Sequence, residues 1–148
     1  MNIVAAINQR RDEIVNLLKS QNLPYEDLPV MLREFYVALE DYKVIGLIGM
    51  ERYDSYGLLR SMVVHPDYRN KHIAESLVQT LEAKAASSGI TSMYLLTERA
   101  EKYFDRKGYT KIIRDEVPKA LMVSSEFSHV CPVSAIVMKK EISIDTIH

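Results

Sequence analysis

A chain of 148 residues, 47% hydrophobic and 26% charged, has the length and balance of one globular domain with a sizeable core. A formal net charge of −1 excludes a global pull toward nucleic acid or an anionic membrane, so any anion site must be local. The single cysteine, Cys131, excludes an intramolecular disulfide and a multi-cysteine zinc site, and no metal is expected. No apolar stretch reaches the roughly 18 residues of a membrane span, and Met1 to Val4 lacks the basic start of a signal peptide. A cytoplasmic protein is expected, with neither nucleic acid nor membrane as partner.

In chain order, Asn2 to Ile7 reads as an edge strand. Gln9 to Ser20 reads as a helix with Ile14, Leu17 and Leu18 on one face. Pro24 to Pro29 is a loop with room for one short helical turn. Leu32 to Glu40 alternates, with Phe35, Val37 and Leu39 sharing a face. Val44 to Met50 is apolar on both faces, as in a central strand. Tyr53 to Gly57 is a turn, and Leu58 to Val64 completes an antiparallel meander. After Pro66 the spacing of Ile73, Ala74, Leu77, Val78, Leu81 and Ala85 predicts an amphipathic helix that stops at Gly89. Ser92 to Leu96 then reads as a buried strand, parallel to its predecessor because a helix connects them. Glu98 to Lys107 is a short helix closed by Gly108, Tyr109 to Ile113 a strand, Pro118 to Phe127 helical, and Ala135 to Lys140 a last strand. The fold class is α+β on one mixed sheet, residues 1–148 forming a single domain.

The chain is organised around Leu58 to Leu81, a strand, a short basic loop and a helix. A helix N-terminus presents unpaired N–H groups and about half a positive charge. With Arg69 and Lys71 just before it, the unit is a ready anion site, and phosphate is the expected anion.

These residues also carry a family likeness. Val64-His65-Pro66-Asp67-Tyr68-Arg69-Asn70-Lys71-His72-Ile73-Ala74 resembles the acetyl-CoA signature of the GNAT superfamily of N-acetyltransferases: a strand, (Arg/Gln)-x-x-Gly-x-(Gly/Ala), then a helix. Downstream, Ala100 to Tyr109 is similar to the family's second helix-to-strand motif. Two motifs in order, with the expected elements around them, carry more weight than one glycine-rich match. The resemblance implies a mostly antiparallel central sheet, splayed at a parallel strand pair and flanked by helices, with acetyl-CoA as co-substrate.

It also implies site residues. Backbone groups at Met62, Val63 and Val64 would bond the pantetheine arm and the thioester carbonyl. One N–H aimed at a developing oxyanion is typically worth about 2.7–4 kcal/mol. The N–H groups of Asn70, Lys71, His72, Ile73 and Ala74 would cradle the pyrophosphate, with Arg69 and Lys71 supplying charge. His72 stands where the family has its first Gly, and is read here in helical conformation. The family's Tyr proton donor falls on Phe104, which reads as an apolar wall for the arm, while the neighbouring Tyr103 is a substitute donor. A thiol of pKa ~8.5 can also leave without a dedicated acid.

The family's base Glu falls near Leu58, so that role does not carry over; Glu51 is the best local carboxylate and His65 the second. Arg60, in an apolar strand, requires a partner. Alternation puts it with Leu58, Met62 and Val64, on the face that relatives turn to the acceptor. It is read either as a ligand for an acceptor carboxylate or as half of a salt bridge to Glu51 or Glu34. Thr97 and Ser134 are substrate-pocket candidates, with Arg99 and Phe127 weaker ones; Cys131 is read as a substrate-site or arsenic-sensing thiol, or as an inert buried one.

The C-terminal third, with Val117-Pro118 and Cys131 to Ala135, resembles a GNAT branch of arsenic-resistance N-acetyltransferases, itself similar to the acetyltransferase module of glutamate N-acetylating enzymes. The implied function is acetyl transfer from acetyl-CoA to the amine of a small, amino-acid-like acceptor by direct attack on the thioester. The alternative is a non-catalytic acyl-CoA sensor on the same fold. Edge strands of such sheets can also pair into a homodimer.

Overall fold

The apolar alternation of the first half becomes a helix packed on strands. The computed structural model describes residues 1–69, 71–127 and 134–142. Asn70 and Cys131 lie outside them. The strands are β1 (Asn2–Ala5), β2 (Phe35–Glu40), β3 (Lys43–Tyr53), β4 (Tyr56–Val64), β5 (Ser92–Thr97), β6 (Thr110–Ile112) and β7 (Ile136–Glu141). The α-helices are α1 (Arg11–Ser20), α2 (Ile73–Ser87) and α3 (Glu101–Arg106). The strands form one seven-stranded sheet in the order β1-β2-β3-β4-β5-β7-β6. By its internal contacts the chain divides into two compact units, Met1–Met50 with Arg60–Lys84, and Glu51–Leu59 with Ala85–His148.

In the first unit β1, β2 and β3 pair antiparallel. Ile14, Leu17 and Leu18 recur at three and four residues on α1, so they share one face. That face buries against Phe35, Val37, Leu47 and Val63, joined by Leu28 and Leu32 from the connecting loop. The opposite side of the same strands receives α2: a Cβ at Gly46 would meet Leu77 Cδ1 at 3.1 Å and Ile73 Cγ2 at 3.4 Å. Gly46 therefore lets α2 approach the sheet closely.

In the second unit β4 and β5 pair in parallel through Tyr56–Ser92, Gly57–Met93 and Leu58–Tyr94. β7 inserts between β5 and β6, antiparallel to both. Leu58, Tyr94, Val117, Leu121 and Val137 form the core.

Three local expectations change. The turn expected over residues 53–57 shrinks to Asp54-Ser55, because β3 runs on to Tyr53 and β4 begins at Tyr56; Asp54 adopts the left-handed φ of 55° that so tight a turn needs. The helix expected over 118–127 breaks at Ser124: residues 125–127 are helical, and before the break stands a 3-10 helix, Lys119–Val123. Only Leu121 in it is buried, too little apolar surface to hold a full α-helical stripe. The short helical turn expected between Pro24 and Pro29 is a non-helical turn. Arg11 holds that loop by bonding the carbonyls of Leu28 and Pro29 at 3.2 and 2.9 Å.

Candidate active site

The first unit carries the anion loop. Pro66 opens a 3-10 turn, Pro66–Tyr68, capped by the His65 Nδ1, which accepts from the Asp67 N–H at 3.1 Å. Arg69 leaves that turn extended and donates to Gln21 Oε1 at 2.8 Å. Lys71 is exposed, its Nζ 5.8 Å from the centre of the Tyr68 ring. His72 accepts the first intrahelical bond of α2, from the Ser76 N–H at 3.1 Å. The N–H groups of Ile73, Ala74 and Glu75 lie ahead of that bond, in the turn where no intrahelical partner exists.

The backbone of His72 corrects its expected helical conformation. Its φ is +60°, in the left-handed region that glycine favours. The side chain is 86% exposed and reaches Glu75 Oε2 at 3.4 Å. The residue type departs from the family's Gly, while the backbone keeps the conformation that Gly would supply. Ile73 is buried beneath the loop and Ala74 half-buried.

A second left-handed residue interrupts β4. Ser61, between Arg60 and Met62, has φ +59°. An extra residue in that conformation is the signature of a bulge, which breaks the alternation and sharpens the twist. The expected faces change accordingly. Val63 packs in the cluster containing Phe35, and the Arg60 guanidinium lies 5.8 Å from the centre of the same Phe35 ring. Arg60 and Val63 thus share a face that strict alternation assigns to opposite sides. Met62 and Val64 are half-buried.

Arg60 is 4% exposed. Its Nη2 pairs with Asp27 Oδ1 at 3.0 Å, and its Nε donates to Ser61 Oγ at 3.1 Å. Asp27, in the loop after α1, is thus an ion-pair partner of Arg60 that the sequence did not suggest.

The second unit holds the other candidates. Glu51 is half-buried at the end of β3, and two hydroxyls donate to its Oε1: Tyr53 at 2.5 Å and Ser124 at 2.6 Å. Sequence reasoning missed both donors. Tyr53 was open to inference, two residues along the same strand face; Ser124, 73 residues away, carries no local signal. Tyr103 has a buried hydroxyl and sits edge-on to Phe104, 5.2 Å between ring centres. Phe104 is 4% exposed and packs against Tyr109. Thr97 accepts the Ala100 N–H at 2.9 Å at the entry to α3, while Ser134 lies in an exposed turn. The groups whose acidity shifts lie at the opposite end of β5: hydrogen bonds from Lys139 and Ser92 hold the Glu141 carboxyl below its ordinary value.

A strand interrupted by a left-handed residue, followed by a basic loop and a helix, invites comparison with known proteins. The family model described as acetyltransferase (GNAT) domain matches residues 32–111. The chain belongs to the GNAT family. The matched region is an acetyltransferase domain. The amino-acid acetyltransferase of Escherichia coli K12 is 25% identical over 114 residues, 73% of this chain and 26% of that protein. The corresponding protein of Proteus mirabilis is 28% identical over 112 residues, 72% of this chain and 25% of its own. This GNAT chain therefore spans about a quarter of the length of those relatives. Among solved structures, N-acetylglutamate synthase from Neisseria gonorrhoeae, complexed with coenzyme A and N-acetyl-glutamate, superposes with a TM-score of 0.82 at 17% identity, covering 95% of this chain and 35% of that one. A Mycobacterium tuberculosis protein complexed with CoA gives 0.80 at 20% identity, covering 96% and 99%. These likenesses establish the fold. No helix among the described residues is long and apolar enough to cross a membrane.

Proposed function

We propose that residues 1–148 act as one acetyltransferase domain that acetylates the amine of a small, amino-acid-like acceptor. Acetyl-CoA supplies an activated acetyl group: the acceptor nitrogen bonds the carbonyl carbon, the carbon–sulfur bond breaks, and the thiolate takes a proton. The chain's own part is to bind, orient and move protons. The N–H groups of His72, Ile73 and Ala74 hold the pyrophosphate, with charge from Arg69 and Lys71. Asn70, expected among these donors, lies outside the described residues. Past the interruption at Ser61, the backbone of Met62, Val63 and Val64 bonds the pantetheine arm and polarises the thioester carbonyl. Phe104 gives that arm an apolar wall.

Glu51 takes the acceptor's proton and Tyr103 returns one to the thiolate. Arg60 of the first unit, and separately Thr97 and Ser134 of the second, are proposed as acceptor contacts. Because Arg60 already holds Asp27 at 3.0 Å, an acceptor carboxylate has to share that guanidinium. The amino-acid acetyltransferase relatives favour such a carboxylated acceptor.

One observation carries the reading: the left-handed φ of His72. A loop that had lost its ligand along with its glycine would have no reason to keep a backbone conformation that is unfavourable for His by about 1–2 kcal/mol. Calorimetric titration with acetyl-CoA, followed by a thiol-release screen over amino acids, polyamines and aminoglycosides, tests the proposal. Binding with release on amino acids is expected. Absence of binding would sink it, and binding without release on any acceptor would instead mark an acyl-CoA sensor.

A further inference from the structure

We propose that Ser124 and Tyr53 are positioning residues for the Glu51 carboxylate, which makes the segment from Val117 to Ser124 part of the proton-accepting machinery. The inference rests on the acetyltransferase reading above and names what that reading lacks, the groups that aim its base.

Glu51 and Tyr53 lie two residues apart on β3, so alternation places them on one face. The Tyr53 hydroxyl donates to Glu51 Oε1 at 2.5 Å, and the Ser124 hydroxyl donates to the same oxygen at 2.6 Å. Two donors converging on one oxygen restrict both the position and the plane of the carboxylate. Both are neutral hydroxyls, so the carboxylate is oriented by groups that leave it its charge.

The Ser124 donor is itself aimed. Ser124 is 2% exposed, and its Oγ accepts the Glu126 N–H at 3.1 Å. With that lone pair engaged, the one hydroxyl proton is directed to Glu51. Its backbone N–H bonds the Leu121 carbonyl at 3.0 Å, which ties it to the 3-10 helix Lys119–Val123. Leu121 and Val117 are anchored in the apolar cluster with Leu58 and Tyr94. A segment far along the chain, anchored by these contacts, thus delivers a single hydroxyl to the end of β3. A solvated glutamate would need none of these restraints.

The test is steady-state kinetics of wild type, Ser124→Ala, Ser124→Thr, Tyr53→Phe and Glu51→Gln, using whichever acceptor releases CoA thiol. Removing either hydroxyl should lower kcat about tenfold, the worth of one hydrogen bond to a charged group. Ser124→Thr, which keeps the hydroxyl, should restore it, Glu51→Gln should lose more than either, and KM for acetyl-CoA should hold within about twofold throughout, as the loop that binds it is untouched. Unchanged kcat in both Ser124→Ala and Tyr53→Phe, with wild type active, would overturn the positioning role alone. A wild type that binds acetyl-CoA but turns over no acceptor would overturn it together with the enzymatic reading.

Discussion

Asp27→Ala isolates a buried interaction. In the native chain the Arg60 side chain is 3% exposed and the Asp27 side chain 19%, with nitrogen and oxygen 3.0 Å apart. Removing the carboxylate takes an ionic partner from a guanidinium that water barely reaches, and breaking a buried pair in this way typically costs about 3–5 kcal/mol. Arg60 keeps its bond to Ser61 Oγ and its place over Phe35. Those contacts offset part of the loss, so the expected destabilisation is about 3 kcal/mol. For a chain of this size that corresponds to a drop in Tm of roughly 6–12 °C. Arg60→Met removes the charge and keeps much of the stem, and the group it deprives of a partner, Asp27, is the more accessible of the two; its loss should be smaller, about 1–2 kcal/mol. Urea titrations of both single variants and the double variant close the cycle. A loss below about 1 kcal/mol for Asp27→Ala, the range of an exposed pair, would refute the reasoning. Arg60→Ala adds a kinetic arm: as an acceptor ligand it should raise KM for a carboxylated acceptor while sparing acetyl-CoA affinity, whereas equal loss for both ligands marks a purely structural role.

Other substitutions probe the backbone and the protonation states. Gly49→Ala should destabilise by about 1–3 kcal/mol, since its Cβ would lie 2.2 Å from the buried Phe35 ring; Phe35→Leu in the same chain should recover part of the loss in urea titration. His72→Gly should bind acetyl-CoA at least as tightly as wild type by calorimetry, because the left-handed φ of +60° is retained. His72→Val, which resists that conformation, should weaken binding by roughly 1 kcal/mol or more. Glu141 titrates below its ordinary value because Lys139 and then Ser92 bond its carboxylate. Its contribution to stability is therefore present above the unfolded carboxyl value and is lost as pH falls through the folded one. Ser92→Ala should reduce the gap between urea midpoints measured at neutral pH and at about pH 3; an unchanged gap would show that Ser92 contributes nothing to it.

What the sequence determined by itself was local and periodic. The spacing from Ile73 to Ala85 marked α2 because a helix must bury one face, and Phe35, Val37 and Leu39 marked a strand face because β side chains alternate. The order of strand, basic loop and helix was enough for the family, since the motif is contiguous. The tertiary structure decided whatever joins distant residues or departs from regularity. Nothing near Ile136–Glu141 announces that β7 lies between β5 and β6; that depends on which edges remain to be paired. The interruption at Ser61 sits in a run that reads as an unbroken strand, yet it carries Val63 to the face of Arg60. The His72 side chain says nothing of a backbone conformation imposed by the turn into α2. Arg60 finds Asp27 33 residues back, and Glu51 finds Ser124 73 residues ahead. Periodicity encodes which face of an element is buried. The partners of a buried charge are set by the packing of elements, which only the folded chain contains.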